Sequence, residues 1–134
     1  MLGGGNPVGG ANPAGIGGGL NYIGNHAYAY SGVIADAGTG GANTTMLDFS
    51  TGASYFIGKI SFTDDVIAND NVFFQVELDG QIIMAIDYKG GSSAFDGPQF
   101  PFPIAIPPFS RVSVKFGSSS SDEGTAWIVG EVYE

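Results

Sequence analysis

The sequence predicts an all-β domain, an eight-stranded antiparallel jelly-roll sandwich with an extended Gly-rich N-terminal arm. Three observations predict it. Apolar residues alternate with polar ones over short stretches, and no long apolar stripe recurs at the 3.6-residue period of a helix. The 23 glycines, seven prolines and 13% aromatic residues among 134 suit many tight turns between short strands. Finally, Asn71 to Lys89, NVFFQVELDGQIIMAIDYK, holds a strand, a turn and a second strand in succession. The length fits one domain with a sizeable core.

In chain order, residues 1–20 (MLGGGNPVGGANPAGIGGGL) are nearly all Gly, Asn, Pro and Ala. They offer too little apolar side chain to fold alone and a backbone that is costly to order. They read as an arm and not a core element, either a disordered leader or an assembly arm held by a neighbouring subunit, with Asn6, Pro7, Asn12, Pro13 and Leu20 as its candidate contacts, and residues 21–134 as the folded domain. A phosphate-loop reading fails, because no Gly-Lys-Ser/Thr occurs and Gly15-x-Gly17 is followed by Leu20 where a dinucleotide fingerprint needs glycine. Beyond the arm, HAYAYSGVI (26–34) alternates small and aromatic residues as a strand does, and 35–43 is a loop. Strands follow at 44–50 and 54–63, the longer placing Phe56, Gly58, Ile60 and Phe62 on one face.

In the 71–89 hairpin, Val72, Phe74, Val76 and Leu78 form the buried face of the first strand. Asp79-Gly80 supplies a two-residue type I′ turn, which needs φ > 0 at both central positions. Ile82, Met84, Ile86 and Tyr88 are expected to continue the buried face. A lone hairpin of this size cannot offset its ordering entropy, so a second apolar sheet has to cover it. Segment 102–106 is bracketed by Pro101, Pro107 and Pro108 and contains Pro103, which suits an edge strand. Strands at 110–117 and 125–133 complete the set. In jelly-roll order, the first, eighth, third and sixth strands face the second, seventh, fourth and fifth. An immunoglobulin-like sandwich is the alternative, without its Cys…Trp…Cys mark.

Composition narrows function. The net charge of −9 and only four cations, Lys59, Lys89, Arg111 and Lys115, exclude neutralisation of a nucleic-acid backbone. No apolar run reaches the roughly 20 residues of a membrane span. The absence of cysteine excludes disulfides and thiolate metal sites. The N-terminal stretch lacks the pattern of a secretory signal. Charged residues make up 13%, about half the usual share, so part of the surface is expected to be covered by other subunits.

Enzyme chemistry has little to draw on. His26 is the only histidine and reads as a surface or packing residue, no nucleophile signature surrounds it, and no cofactor is expected. Asp64, Asp65 and Asp70, with nearby asparagines, form a weak Ca²⁺ candidate at an inter-strand corner, where such residues are ordinary turn formers. Tyr22, Tyr28, Tyr30 and Tyr55 are candidate exposed aromatics. They suit subunit-interface anchors or a glycan-stacking platform, and the low charge favours the interface.

Two resemblances bear on these readings. Ser54 to Phe62 (SYFIGKISF), the stretch VFFQVELDGQIIMAIDY and the terminal WIVGEVY resemble the second half of the jelly-roll heads of tumour-necrosis-factor-like and complement-type proteins. That resemblance implies a jelly roll that forms trimers. The Gly-rich arm joined to a cysteine-free jelly roll resembles, in general character, small virion proteins that cement or decorate capsids. The expectation is therefore a structural, non-enzymatic subunit of a virion, contacting copies of itself and neighbouring capsid proteins, with no nucleic acid or membrane partner. A carbohydrate-binding module or receptor-binding head is the alternative.

Overall fold

A computed structural model describes residues 20–36, 41–65, 71–89, 101–119 and 122–133. They form ten strands: β1 (Asn21–Ile23), β2 (His26–Tyr30), β3 (Ile34–Asp36), β4 (Thr44–Ser50), β5 (Tyr55–Asp65), β6 (Asn71–Leu78), β7 (Gln81–Lys89), β8 (Phe102–Ile106), β9 (Arg111–Ser118) and β10 (Asp122–Tyr133). Two antiparallel sheets result. The first runs β1-β2-β10-β5-β8, with β3 also paired to β10, and the second runs β4-β9-β6-β7. No helix occurs among the described residues. The domain is a β-sandwich, its core made by the inward-facing parity of both sheets.

Aromatic contacts join the layers. Phe62 of β5 stacks on Phe74 of β6 with ring centroids 4.4 Å apart, and Phe116 of β9 lies 5.9 Å from Phe62. Phe49, Phe56, Ile60, Val114 and Ile128 are fully buried around them. Phe56 occupies a particular niche. Gly58 and Gly130 lie opposite each other in the β5–β10 register, and a Cβ on either would meet the Phe56 ring and the facing backbone. The ring fills the space that two absent side chains leave.

The central hairpin closes at Asp79-Gly80, with φ of 51° and 84°, so both central residues are left-handed as a type I′ turn requires. Asp79 also binds the start of β9. Its amide donates to the Arg111 carbonyl (2.8 Å), and its Oδ1 accepts from the Arg111 amide (2.8 Å).

Several expectations are corrected here. There are ten described strands rather than eight, for two local reasons. Gly24 (φ 60°) opens a two-residue Gly24-Asn25 loop that folds β1 back onto β2, with Ile23 opposite His26. Gly32 (φ 68°) breaks the single strand expected over 26–34, so β2 and β3 pair with different parts of β10. On β7, the register shifts between Val76 and Glu77, so that Glu77 pairs with Ile82 and Val76 with Met84. This bulge leaves Ile82 and Ile83 exposed, while Met84 and Ile86 pack against the core as partly buried side chains. Ile82 therefore does not continue the buried face. The Tyr88 side chain lies outside the described residues. Asp64, expected in a polar corner, belongs to β5 and is fully buried.

Two glycine substitutions separate backbone strain from crowding. Nothing lies within 4 Å of a Cβ placed on Gly80, so Gly80→Val acts through its φ alone and should cost about 1–3 kcal/mol. A Cβ on Gly130 overlaps the Ile57 carbonyl oxygen and the Gly58 Cα. Those backbone atoms cannot yield as a side-chain tip would, so Gly130→Ala should cost more than about 3 kcal/mol. Urea denaturation midpoints of the two variants check the order.

Candidate functional site

The outward face of the β1-β2-β10-β5-β8 sheet is the candidate site. Alternation builds it. Ala27 and Ala29 of β2, Ala126 and Ile128 of β10, and Phe56 and Ile60 of β5 point into the core, which turns the intervening side chains outward. Register then sets the rows: Tyr30 beside Trp127, Val129 between Tyr28 and Lys59, and Glu131 between His26 and Ile57. Tyr133 stands beside Tyr55. The rings are paired as well. Tyr28 and Tyr30 are 5.2 Å apart and tilted, and Tyr55 and Tyr133 are 5.3 Å apart and stacked.

Much of this apolar surface meets solvent. Tyr30 is 58% exposed and Ile57 49%, while Ile23, Val129, Tyr55 and Tyr133 are exposed too. A shallow groove of about 390 Å³ runs over β2 and β10, lined chiefly by His26, Tyr28, Tyr30, Val129 and Glu131. Glu131 is its polar pivot. His26 Nδ1 stands 3.6 Å from one Glu131 carboxylate oxygen, and Tyr133 Oη donates to the other at 2.9 Å. The bond to Glu131 and its negative charge raise the Tyr133 pKa above the ordinary 10.0. Folding thus favours the protonated phenol, and this stabilisation is complete below pH 10.0 and lost as pH rises through the raised value. Burial raises the Tyr22 pKa by a different route, disfavouring the phenolate.

The other outward face differs in chemistry. On the β4-β9-β6-β7 sheet, Arg111 grips Asp48 with two hydrogen bonds, Nε to Oδ1 at 2.8 Å and Nη2 to Oδ2 at 2.6 Å. Lys115 Nζ lies 3.0 Å from Glu77 Oε2, which also accepts from Gln75 Nε2 at 3.1 Å. This face carries two ion pairs among the described residues, together with the exposed Ile82 and Ile83 of β7. The aromatic face carries Lys59, His26 and Glu131 among large apolar side chains.

Of the expected tyrosines, Tyr28, Tyr30 and Tyr55 share the outward face. Tyr22 does not: it pairs with Ala27, takes that residue's inward parity and is 1% exposed. Trp127, Val129 and Tyr133 complete the face and were not singled out in sequence. Their signal was the odd-numbered parity of 125–133, which runs Thr, Trp, Val, Glu, Tyr. Leu20, expected in the arm, is a fully buried core residue, while Asn6, Pro7, Asn12 and Pro13 lie outside the described residues. Of the Ca²⁺ candidate, Asp64 is buried, and the Asp65 side chain and Asp70 lie outside the described residues. Among the described residues no three His, Asp or Glu side chains gather as a metal site would need.

No protein-family model matches this chain, and no curated protein matches it either.

The division between core and surface tyrosines is measurable. Tyr22→Ala should lose about 3–5 kcal/mol, as for a buried aromatic truncated to alanine. Tyr30→Ala should stay within about 0.5 kcal/mol of wild type, as for an exposed position. Equal effects in urea denaturation would contradict the inward and outward assignments.

Proposed function

We propose that this chain is a structural subunit of a symmetric assembly: a jelly-roll cement or decoration protein of a virion that docks through its aromatic sheet face. One observation carries the reading. The sandwich concentrates Tyr28, Tyr30, Trp127, Ile57, Val129, Tyr55 and Tyr133 on one outward face, while the opposite sheet sets the ion pairs Arg111–Asp48 and Lys115–Glu77 beside the exposed Ile82 and Ile83. Aromatic residues are enriched in protein interfaces and charged ones depleted at their cores. Large apolar patches on a soluble domain mark interaction sites. The order β2-β10-β5-β8 facing β4-β9-β6-β7 supports the jelly-roll assignment, since it is the neighbour order that topology requires. Copies of the chain, in a trimer, and adjoining capsid subunits are the proposed partners. The Gly-rich arm, residues 1–19 once Leu20 is assigned to the core, is proposed to reach onto a neighbour.

A second reading, a carbohydrate-binding face, is favoured by one feature. The β2–β10 groove sets tyrosine rings beside His26 and Glu131, and rings with adjacent polar groups can stack on and hydrogen-bond a sugar.

Light scattering across a concentration series separates the readings. Wild type should show masses that are multiples of 13.7 kDa, and Val129→Asp should reduce association by at least about tenfold, as loss of a central interface contact does. Deleting residues 1–19 should leave the melting temperature nearly unchanged and weaken incorporation into larger assemblies. A wild type that stays monomeric while binding a glycan array through Tyr28 and Tyr30 would favour the sugar-binding reading.

A further inference from the structure

The β5–β10 ladder ends on two phenols. Tyr133 stands directly opposite Tyr55, and their rings are stacked with centroids 5.3 Å apart and planes 22° from parallel. Both are exposed, at 38% for Tyr55 and 39% for Tyr133, so a reagent in solution reaches them. Glu131 adds a proton acceptor. Its Oε2 accepts a hydrogen bond from Tyr133 Oη at 2.9 Å, within the reach a general base needs. That bond raises the Tyr133 pKa and keeps the phenol protonated, so at neutral pH the proton leaves together with an electron. A phenol that has lost an electron is a strong acid, and a carboxylate already bonded to it takes the proton without diffusion. The Glu131 side chain is 48% exposed and releases that proton to water.

We propose that Tyr55 and Tyr133 form an oxidative crosslinking site, at which a one-electron oxidant of the haem-peroxidase class joins the two rings as dityrosine. The steps balance with hydrogen peroxide as the terminal oxidant. Tyr133 gives one electron to the peroxidase and its phenolic proton to Glu131. Tyr55 gives a second electron, and its proton goes to solvent. The two phenoxyl radicals pair through a new bond between ring carbons ortho to the oxygens. The hydrogens on those carbons then shift to the oxygens, which restores both phenols. The two electrons and two protons that leave the protein reduce one hydrogen peroxide to two waters. Cross-strand register makes the coupling effectively unimolecular, since the rings are held together before either is oxidised. The product ties the C-terminal strand to β5 covalently, in a chain that has no cysteine and hence no disulfide to do so. Joining positions so far apart in sequence restricts the unfolded chain as a disulfide does. Geometry selects this pair. Tyr28 and Tyr30 are as close, at 5.2 Å, but among the described residues no carboxylate bonds either phenol. They also share one strand, where a link would tie no second strand to the sheet. Assembly is not required for the reaction, which belongs to the single chain.

The test treats the full chain, dilute enough to suppress coupling between chains, with a haem peroxidase and hydrogen peroxide. Mass spectrometry should show a chain lighter by two hydrogens and, after proteolysis, a peptide containing Tyr55 joined to one containing Tyr133, with dityrosine fluorescence. Tyr55→Phe keeps the stacked ring and should lose the crosslink, whereas Tyr28→Phe should retain it. Glu131→Gln still accepts the phenol's hydrogen bond but cannot hold its proton, and should slow crosslinking at least about tenfold. The linked chain should unfold at a higher urea concentration than the unlinked one. Dityrosine joining Tyr28 to Tyr30, coupling only between chains, or oxidation that stops at Trp127 would overturn the site. An unchanged rate in Glu131→Gln would overturn the carboxylate's part as proton acceptor. A linked chain no more resistant to urea would overturn the crosslink as a tie between β10 and β5.

Discussion

The contact between Phe62 and Phe74 across the two layers is the constraint on which the rest of the sandwich depends. Neither sheet can bury its inward face alone, and these two rings, with Phe116 beside them, fix how the sheets face each other. Once β5 presents Phe56, Ile60 and Phe62 inward, strand geometry turns Tyr55, Ile57 and Lys59 outward. The β10 strand must follow suit, because its register against β5 is continuous from Glu123 to Tyr133. The outward aromatic face is therefore not independent of the core. It is the opposite parity of strands whose inward parity is committed to aromatic packing, and a one-residue slip would exchange the two sets.

How much of this was legible in the sequence follows from what each local signal encodes. The Asp79-Gly80 turn was legible because φ > 0 at two successive positions narrows the choice of residues sharply. The inward set Phe56, Gly58, Ile60 and Phe62 was legible because large side chains and a glycine recur at period two. Parity alone does not say which face is inward, however. In β2 the small residues Ala27 and Ala29 turn in and Tyr28 and Tyr30 turn out, while in β1 a tyrosine turns in. The deciding fact is the β1–β2 register, which places Tyr22 opposite Ala27 and depends on a Gly24-Asn25 loop whose glycine is in the left-handed region. That dipeptide was the available signal. The break at Gly32 and the bulge near Glu77 were less accessible, since a single glycine in a strand and a run of three apolar residues, Ile82 to Met84, each fit more than one register.

The two outward faces use the same pleated geometry for opposite ends. On the β4-β9-β6-β7 sheet, the Asp48 carboxylate is almost wholly removed from solvent, and a bidentate guanidinium compensates its desolvation. A buried carboxylate is tolerated only with such a partner. On the other sheet, Glu131 is shared by an exposed histidine and an exposed phenol, arrangements that contribute little to stability in water. The sheet edges differ too. β8 ends its sheet with Pro103 inside the strand and Pro107 just beyond it, which limits strand addition along that border.

Strand β10 is shared by β2, β3 and β5, and the bond from the Ala126 amide to Ser31 Oγ joins residues 95 positions apart. On a ribosome, which delivers the chain from its N-terminal side, β2 and β3 emerge long before the strand that will hold them. At about 5–20 residues per second, their ladder partners arrive seconds later. Until then these strands present unpaired edges and tyrosine-rich surface to solvent. Folding of this sheet is thus a late, cooperative event of high contact order, and a nascent chain of this design depends on speed of completion, or on a chaperone, to avoid pairing with its neighbours on the same message.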